Sequence, residues 1–255
     1  EQMPEDIRSM IQPIKQIVRA FNIPILEVAG FEADDVIGTI AKLAEPQGFI
    51  TYMMTPDKDY AQLVSPQTFI YKPGRGGNPP EIMGVKEVCE KFEISHPLQV
   101  IDILGLWGDA SDNIPGIPGI GEKTAKVLVA KYGSMEGLFA HVHELKGKQK
   151  ENVENFQQQG LMSKSLATII RDVPVEFDEQ DLAVCPVNSE AVKEVFTDLE
   201  FRTLAKRVVG EEIVVTQALS NKEESQLDLF GMQSMLEPQQ AAPTASYKTI
   251  ATEKP

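Results

Sequence analysis

Gly-Asp-Ala-Ser-Asp-Asn-Ile-Pro-Gly-Ile-Pro-Gly-Ile-Gly-Glu-Lys-Thr-Ala, residues 108–125, joins two chemistries within one turn-rich segment. Asp109 and Asp112 offer carboxylates, the oxygen ligands that hard divalent cations prefer. Directly after them, Gly116, Gly119 and Gly121 permit left-handed backbone and close approach of a ligand. Glu122 opens a helix whose first amides are free to meet a phosphate oxygen, and Lys123 and Thr124 add a charge and a hydroxyl. A metal-binding edge beside a backbone clamp points to an enzyme that cuts nucleic acid.

The rest of the 255-residue chain allows one large domain or two small ones. It is 42% hydrophobic, enough for a sizeable core, and no apolar run approaches the roughly 18 residues of a membrane span. Glu1 leads straight into an amphipathic pattern rather than an apolar leader. Cys89 and Cys185 lie far apart without metal-type spacing, so both are expected to be reduced packing residues of a cytosolic protein. The formal charge of −14 argues at first against a nucleic-acid partner. Between Pro115 and Lys150, however, Lys123, Lys126, Lys131, Lys146, Lys148 and Lys150 outnumber Glu122, Glu136 and Glu144. Local excess matters more than the total for phosphate contact.

Pro4 suits the first position of a helix, and Ile7, Met10, Ile11, Ile14, Ile17, Val18 and Phe21 recur at helical spacing. Ile23–Val28, Phe49–Thr55 and Thr68–Lys72 read as strands; Ala33–Leu43 reads as a helix and Tyr60–Val64 as a short helical turn. Alternating short apolar strands and helices predict a parallel sheet flanked by helices. From about residue 84 the pattern turns helical, over Val85–Phe92, Pro97–Trp107, Glu122–Tyr132, Lys148–Gln158, Leu161–Ile170 and two helices within Val187–Val208. After Gly210 the composition shifts, and residues 217–245, rich in Gln, Ser, Glu, Ala and Pro, read as a mobile linker toward a further domain.

Acidic residues gather after these elements: Glu32, Asp34 and Asp35 after the first strand, Asp57 and Asp59 after the second, Asp109 and Asp112 after the apolar helix. In open parallel sheets, sites form beyond the carboxyl ends of strands. Carboxylates a few ångströms apart repel, and Mg²⁺ or Mn²⁺ relieves that repulsion. Two ions roughly 4 Å apart can serve both the attacking and leaving oxygens of a phosphodiester. The plain alternative is that Asp34, Asp57 and Asp112 each cap a helix. A calcium loop is excluded at Asp109, since the twelfth position is Ile120 rather than Glu. A nucleotide P-loop is excluded by Glu122 before Lys123, and a dinucleotide turn by Pro115 in the would-be preceding strand. A helix–turn–helix packing element without a ligand is the plain alternative for the glycines. His96, His141 and His143 read as surface residues, and Trp107 as a packing anchor.

Three ordered motifs carry a resemblance: Phe-Glu-Ala-Asp-Asp-Val-Ile-Gly (31–38), Thr-Pro-Asp-Lys-Asp-Tyr-Ala-Gln-Leu (55–63) and the segment 108–125. Over about residues 3–210 the chain resembles the 5′ nuclease domains of bacterial DNA polymerase I, within the flap endonuclease superfamily. The resemblance implies an α/β, PIN-like core with a parallel sheet, here incomplete (1–92). An all-α region with a helix-three-turn-helix, or helix-hairpin-helix, DNA-binding motif at about 108–150 would follow (93–210), and then a disordered linker (211–255). It implies Mg²⁺- or Mn²⁺-dependent 5′-3′ exonuclease and flap endonuclease activity with two ions, acting on DNA with 5′ flaps, nicks or 5′ ends and on RNA primers in replication and repair. Carried over by position, Glu32, Asp34, Asp35, Asp57, Asp59, Asp109 and Asp112 match metal-site acids, with Asp34, Asp57 and Asp109 expected to be catalytic. Gly116, Gly119, Gly121, Lys123, Thr124 and Lys126 match the duplex-gripping loop. The expected setting is a monomer in the bacterial cytoplasm, at the nucleoid, away from membranes and with a polymerase domain downstream.

The resemblance also carries a departure. Such domains begin with a strand ending in Asp-Gly, another metal-site Asp and a cationic helical arch, whereas this sequence starts at Glu1 where that arch ends. The expectation is an internal fragment of a longer polypeptide, weakly active or inactive by itself. Two rivals stand beside the nuclease reading: a non-catalytic, structure-specific DNA-binding module, and a PIN-type ribonuclease, against which the duplex-gripping glycines argue.

Overall fold

The computed structural model describes residues 3–74 and 76–210. The linker expected at 211–255 lies outside the described residues. The architecture is mixed α/β, a small sheet followed by a run of helices packed on one another.

Helix α1 (Glu5–Ala20) starts after Pro4, with Glu5 and Asp6 in its first turn and Arg19 in its last, each matched to the helix dipole. Helix α2 (Ala33–Ala44) follows, burying Val36, Thr39 and Ala41. Strand β1 (Thr51–Met54) pairs in parallel with β2 (Thr68–Lys72), Thr51 opposite Thr68 and Met54 opposite Tyr71. Strand β3 (Glu81–Met83) closes the far side antiparallel to β2, giving the order β1-β2-β3. A parallel pair needs a crossover, and a 3₁₀ turn at Asp59–Leu63, fully buried, begins it. That turn is why acids sit beyond the carboxyl end of β1.

The helical part comprises α3 (Val85–Phe92), α4 (Gln99–Trp107), α5 (Glu122–Tyr132), α6 (Met135–Ala140), α7 (Gly147–Asn155) and α8 (Gln157–Leu166). Helix α4 is its axis: Val100, Ile103, Leu104 and Leu106 have no exposed surface. It can lie close to α8 because Gly105 has no side chain; a Cβ there would meet Lys164 Cβ at 2.7 Å. One apolar core runs from Met53 in the sheet to Ile169 beyond α8. Burying Asp102 within it is offset by hydrogen bonds. Its Oδ1 accepts from Met135 N at 2.9 Å and from Lys164 Nζ at 2.6 Å, and Lys164 also reaches Glu136 at 2.8 Å. Helices α9 (Ser189–Asp198) and α10 (Arg202–Val209) form a second, small core with α1 through Ala20, Val192, Phe196 and Ala205.

A strap at residues 167–173 ties the two regions by polar contacts. Gln62, 3% exposed, donates from Nε2 to Ala167 O at 2.9 Å and accepts Ile169 N–H at 3.0 Å. Asp35 Oδ1 accepts Ile170 N–H at 2.7 Å, and Thr39 Oγ1 accepts Val173 N–H at 3.2 Å.

Several expectations are corrected. Ile23–Val28 is not a strand, because no described strand lies beside it to exchange hydrogen bonds; Ile23 and Leu26 stay exposed. The strand expected over Phe49–Thr55 contracts to Thr51–Met54. The helices expected over Lys148–Gln158 and Leu161–Ile170 meet at Phe156, whose backbone leaves the helical region, and the second ends at Leu166. Beyond that point Ile169 and Ile170 give their N–H groups to Gln62 and Asp35 instead of a helix. Neither β3 nor α6 was expected. Cys185 is exposed, so only half-buried Cys89 packs on the core. Among the described residues, no helix is long and apolar enough to cross a membrane.

Replacing Gln62 by Ala leaves a buried carbonyl and a buried N–H without partners. The expected cost is about 2–4 kcal/mol in urea unfolding. A change below about 0.5 kcal/mol would show that the strap does not bear on stability.

Candidate functional site

Asp57, Lys58 and Asp59 leave the carboxyl end of β1. Asp57 N–H donates to Thr55 Oγ1 at 3.1 Å, and Asp57 Oδ1 in turn accepts Asp59 N–H at 3.0 Å, which starts the 3₁₀ turn. Asp59 is thereby carried inward and is 9% exposed. From the other side comes the loop after α4. Asp109 and Ile114 exchange both backbone hydrogen bonds at 2.8 Å, closing a tight hairpin around Ala110–Asn113. Ser111 N–H donates to Asp109 Oδ1 at 2.8 Å, fixing a carboxylate that is only 7% exposed.

These two turns bring Asp59, Asp109 and Asp112 together, with one carboxylate oxygen from each within 4.8 Å of the others. Asp59 Oδ1 is buried without any hydrogen-bond partner. Burial first, then the Asp57 charge, push the Asp59 carboxyl up to about 7; Lys58 opposes this and Asp109 and Asp112 add to it. At Asp109 burial alone would act the same way, but the hydrogen bond from Lys58 and the Ser111 N–H outweigh it, so its pKa falls below the usual range. The Lys58 ammonium is bonded to Asp109 Oδ2 and lies 4.7 Å from the Trp107 ring centroid.

The remaining predicted acids lie outside this trio, although Asp57 adjoins it through its bond to Asp59 N–H. Asp34, in the first turn of α2, has its pKa raised by burial, then by Asp35 and Asp57. Buried Tyr60 has its phenol pushed up to about 12, by burial first and then by Asp34 and Asp57, so these two acids share an environment with it. Both Asp35 oxygens are engaged by backbone, Oδ1 by Ile170 N–H and Oδ2 by Glu32 N–H at 3.2 Å. Glu32 is exposed at the cap of α2. The capping alternative applies to Asp57, which starts a turn, but not to Asp112, which no helix follows.

The glycine segment adjoins the trio. Gly108 and Gly116 touch backbone to backbone: a Cβ on Gly108 would lie 2.5 Å from Ile114 O, and one on Gly116 2.5 Å from Gly108 N, with φ of +81° and +61°. Helix α8 grips Gly116 on both sides. Ser163 Oγ accepts its N–H at 3.0 Å, and Gln159 Nε2 donates to its carbonyl at 2.7 Å. Asn152 Nδ2 donates to Pro118 O at 2.7 Å. Gly119 and Gly121 are exposed, and no side chain caps α5, which leaves its first amides open to an anion. Lys123 is exposed and Thr124 half-buried beside it. Lys126 is engaged by Glu122 at 2.8 Å and by Lys91 O at 3.0 Å. Lys131 pairs with Glu144 at 2.9 Å and Lys150 with Glu154 at 3.7 Å, whereas Lys123, Lys146 and Lys148 pair with no described carboxylate.

Sequence reasoning missed Lys58, Tyr60, Ser163, Gln159 and Asn152. Lys58 carried a signal, a single cation between two acids. The others act through contacts with distant segments that no local pattern marks.

Comparison with known proteins bears on this arrangement. A family profile described as "5'-3' exonuclease, N-terminal resolvase-like domain" matches residues 1–93, and one described as "5'-3' exonuclease, C-terminal SAM fold" matches residues 95–190. The chain is 40% identical over 213 residues to DNA polymerase I of Bacillus subtilis (strain 168), covering 83% of this chain and 24% of that protein. It is 34% identical over 206 residues to DNA polymerase I of Mycobacterium leprae, covering 81% and 22%. The chain thus spans about a quarter of the length of these relatives. Among solved structures, T5 5′-exonuclease with zinc ions bound superimposes with a TM-score of 0.55 at 19% identity, over 76% of this chain and 72% of that one. The catalytic core of Rad2 in complex with DNA substrate gives 0.51 at 17%, over 78% and 66%. At such identities these two likenesses establish the fold.

Metal-free stability should report the strained acid. A carboxyl raised to about 7 favours the folded state while it is protonated. That contribution is complete below the unfolded value near 4 and is lost as pH rises through 7. Asp59→Asn removes the penalty. In chelator it should stabilise the chain by on the order of 1–3 kcal/mol at pH 8 and by much less at pH 4.5. A pH-independent difference in melting would contradict the assignment.

Proposed function

We propose that this chain, which belongs to the 5′-3′ exonuclease family, is the divalent-metal-dependent 5′ nuclease portion of a DNA polymerase I and hydrolyses phosphodiesters at 5′ flaps and 5′ ends. The observation that carries the reading is the Asp59, Asp109 and Asp112 trio with the orphaned, buried Asp59 Oδ1. The donor set fits a hard cation: all ligand atoms are carboxylate oxygens, and a bound ion would offset the burial and the neighbouring charges that push Asp59 up to about 7. Mg²⁺ or Mn²⁺ would be held there, and Asp34 and Asp57, whose charges act on one another, would be the candidates for a second ion. When bound, such ions supply an activated water and charge stabilisation at the leaving oxygen.

The chain's own residues do the rest. Asp109 is held in its ionised form and fixed by the Ser111 N–H, so it offers a ready anionic ligand. Asp57 positions Asp59 through the turn it starts. Gly119, Gly121 and the open amides of α5, with Lys123 and Thr124, would meet the phosphate backbone of the duplex, which carries affinity rather than sequence preference. The fixed Asp109–Ile114 hairpin sets the step between the gripped strand and the acids. Residues 1–92 would serve as the nuclease core and 93–210 as the helical DNA-binding region, with the gripping motif across 108–150. The profile boundary between residues 93 and 95 supports that division.

The test is single-turnover cleavage of a 5′-flapped duplex by excess protein in Mg²⁺. Asp109→Asn should lower the rate by about two orders of magnitude or more while flap affinity changes less than about twofold. Equal rates would remove Asp109 from the site, and Mg²⁺-independent binding without cleavage would favour a DNA-binding module instead. Lys123→Ala should weaken duplex binding and flatten its salt dependence by about one phosphate contact. An unchanged salt slope would exclude that contact.

A further inference from the structure

We propose that Lys58 is a resident counter-ion of the acid cluster, one that occupies Asp109 in the metal-free protein and leaves it when a divalent ion arrives. The proposal rests on the metal reading above and adds a moving part to it. Asp109 has one oxygen spoken for: Oδ1 accepts the Ser111 N–H at 2.8 Å. The oxygen that accepts no backbone N–H is Oδ2, the more open of the two to an incoming ion, and that is the atom the Lys58 ammonium already holds. An ion bound through Oδ2 competes with the ammonium for it. Competition suits the electrostatics, because three carboxylates with oxygens within 4.8 Å and no cation would repel strongly.

The geometry also lets Lys58 move. Its side chain is about a third exposed (32%), whereas the Asp109 side chain it holds is 7% exposed. It lines an open cleft of about 690 Å³ with Trp107, Asp109, Ser111 and Asn113. Its ammonium rests 4.7 Å from the Trp107 ring centroid, a contact that a cation gains from the negative face of the ring. Departure of the ammonium therefore changes the environment of Trp107, the single tryptophan of the chain. A structural ion pair would behave differently, staying closed whether or not metal is present.

Magnesium titration of the 255-residue chain tests this, read in parallel by calorimetry and by tryptophan emission at constant ionic strength. In the wild type the emission should change with the same midpoint as the heat. Lys58→Met keeps the alkyl stem and removes the charge. It should bind Mg²⁺ about tenfold more tightly and lose the emission change. Lys58→Gln repeats the measurement should the Met chain not fold. Heat without an emission change in the wild type, or an unchanged Mg²⁺ affinity in both variants, would overturn the proposal. Asp59→Asn separates the two readings: it should abolish the part of the Mg²⁺ heat that shares its midpoint with the emission change. If that part survives, the metal reading of the trio falls, and Lys58's role with it.

Discussion

Like charge held at short range is the constraint on which the rest of the structure depends. Asp59, Asp109 and Asp112 come from two turns some fifty residues apart, and each would drift outward if its turn were loose. Rigidity is therefore supplied before the charges are placed. The parallel pairing of β1 with β2 directs Asp57 into its turn, and the largely buried α4 delivers Asp109 at the edge of the same core. The cluster is tolerated because one acid is paired with an ammonium and another has a carboxyl pKa near neutrality.

The same rigidity joins the acids to the backbone-gripping segment. The Asp109–Ile114 hairpin and the contact between Gly108 and Gly116 leave no slack between the two. A side chain at either glycine would collide with main chain, which is harder to move than another side chain. Binding geometry and acid geometry are thus set by one piece of backbone.

Local patterns made some of this legible. Val85–Phe92, Glu122–Tyr132 and Thr68–Lys72 were readable to the residue, because their apolar spacing and flanking glycines or prolines agree. The three-residue β3 follows a Gly/Pro-rich loop and offers too little sequence for a period to register. The six-residue α6, with Gly137 in its middle, is equally short. Ile23–Val28 has the apolar content of a strand, yet a strand is defined by its neighbour and the described residues give it none. At the site, the acids announced themselves by number. Their division did not, since nothing in Asp34-Asp35 tells which carboxylate faces another acid and which ties Ile170. Lys58 stood in view between two acids, but its partner did not, being 51 residues away.

Helix α8 holds the final lesson. Ser163 and Gln159 clasp the N–H and the carbonyl of Gly116, a residue more than forty positions upstream. The shape of the glycine segment is therefore kept by a mould that the chain produces later. Transplanting residues 108–125 into another scaffold would carry the glycines without their mould. Inheritance of the motif between proteins should accordingly proceed by whole helical units rather than by loops.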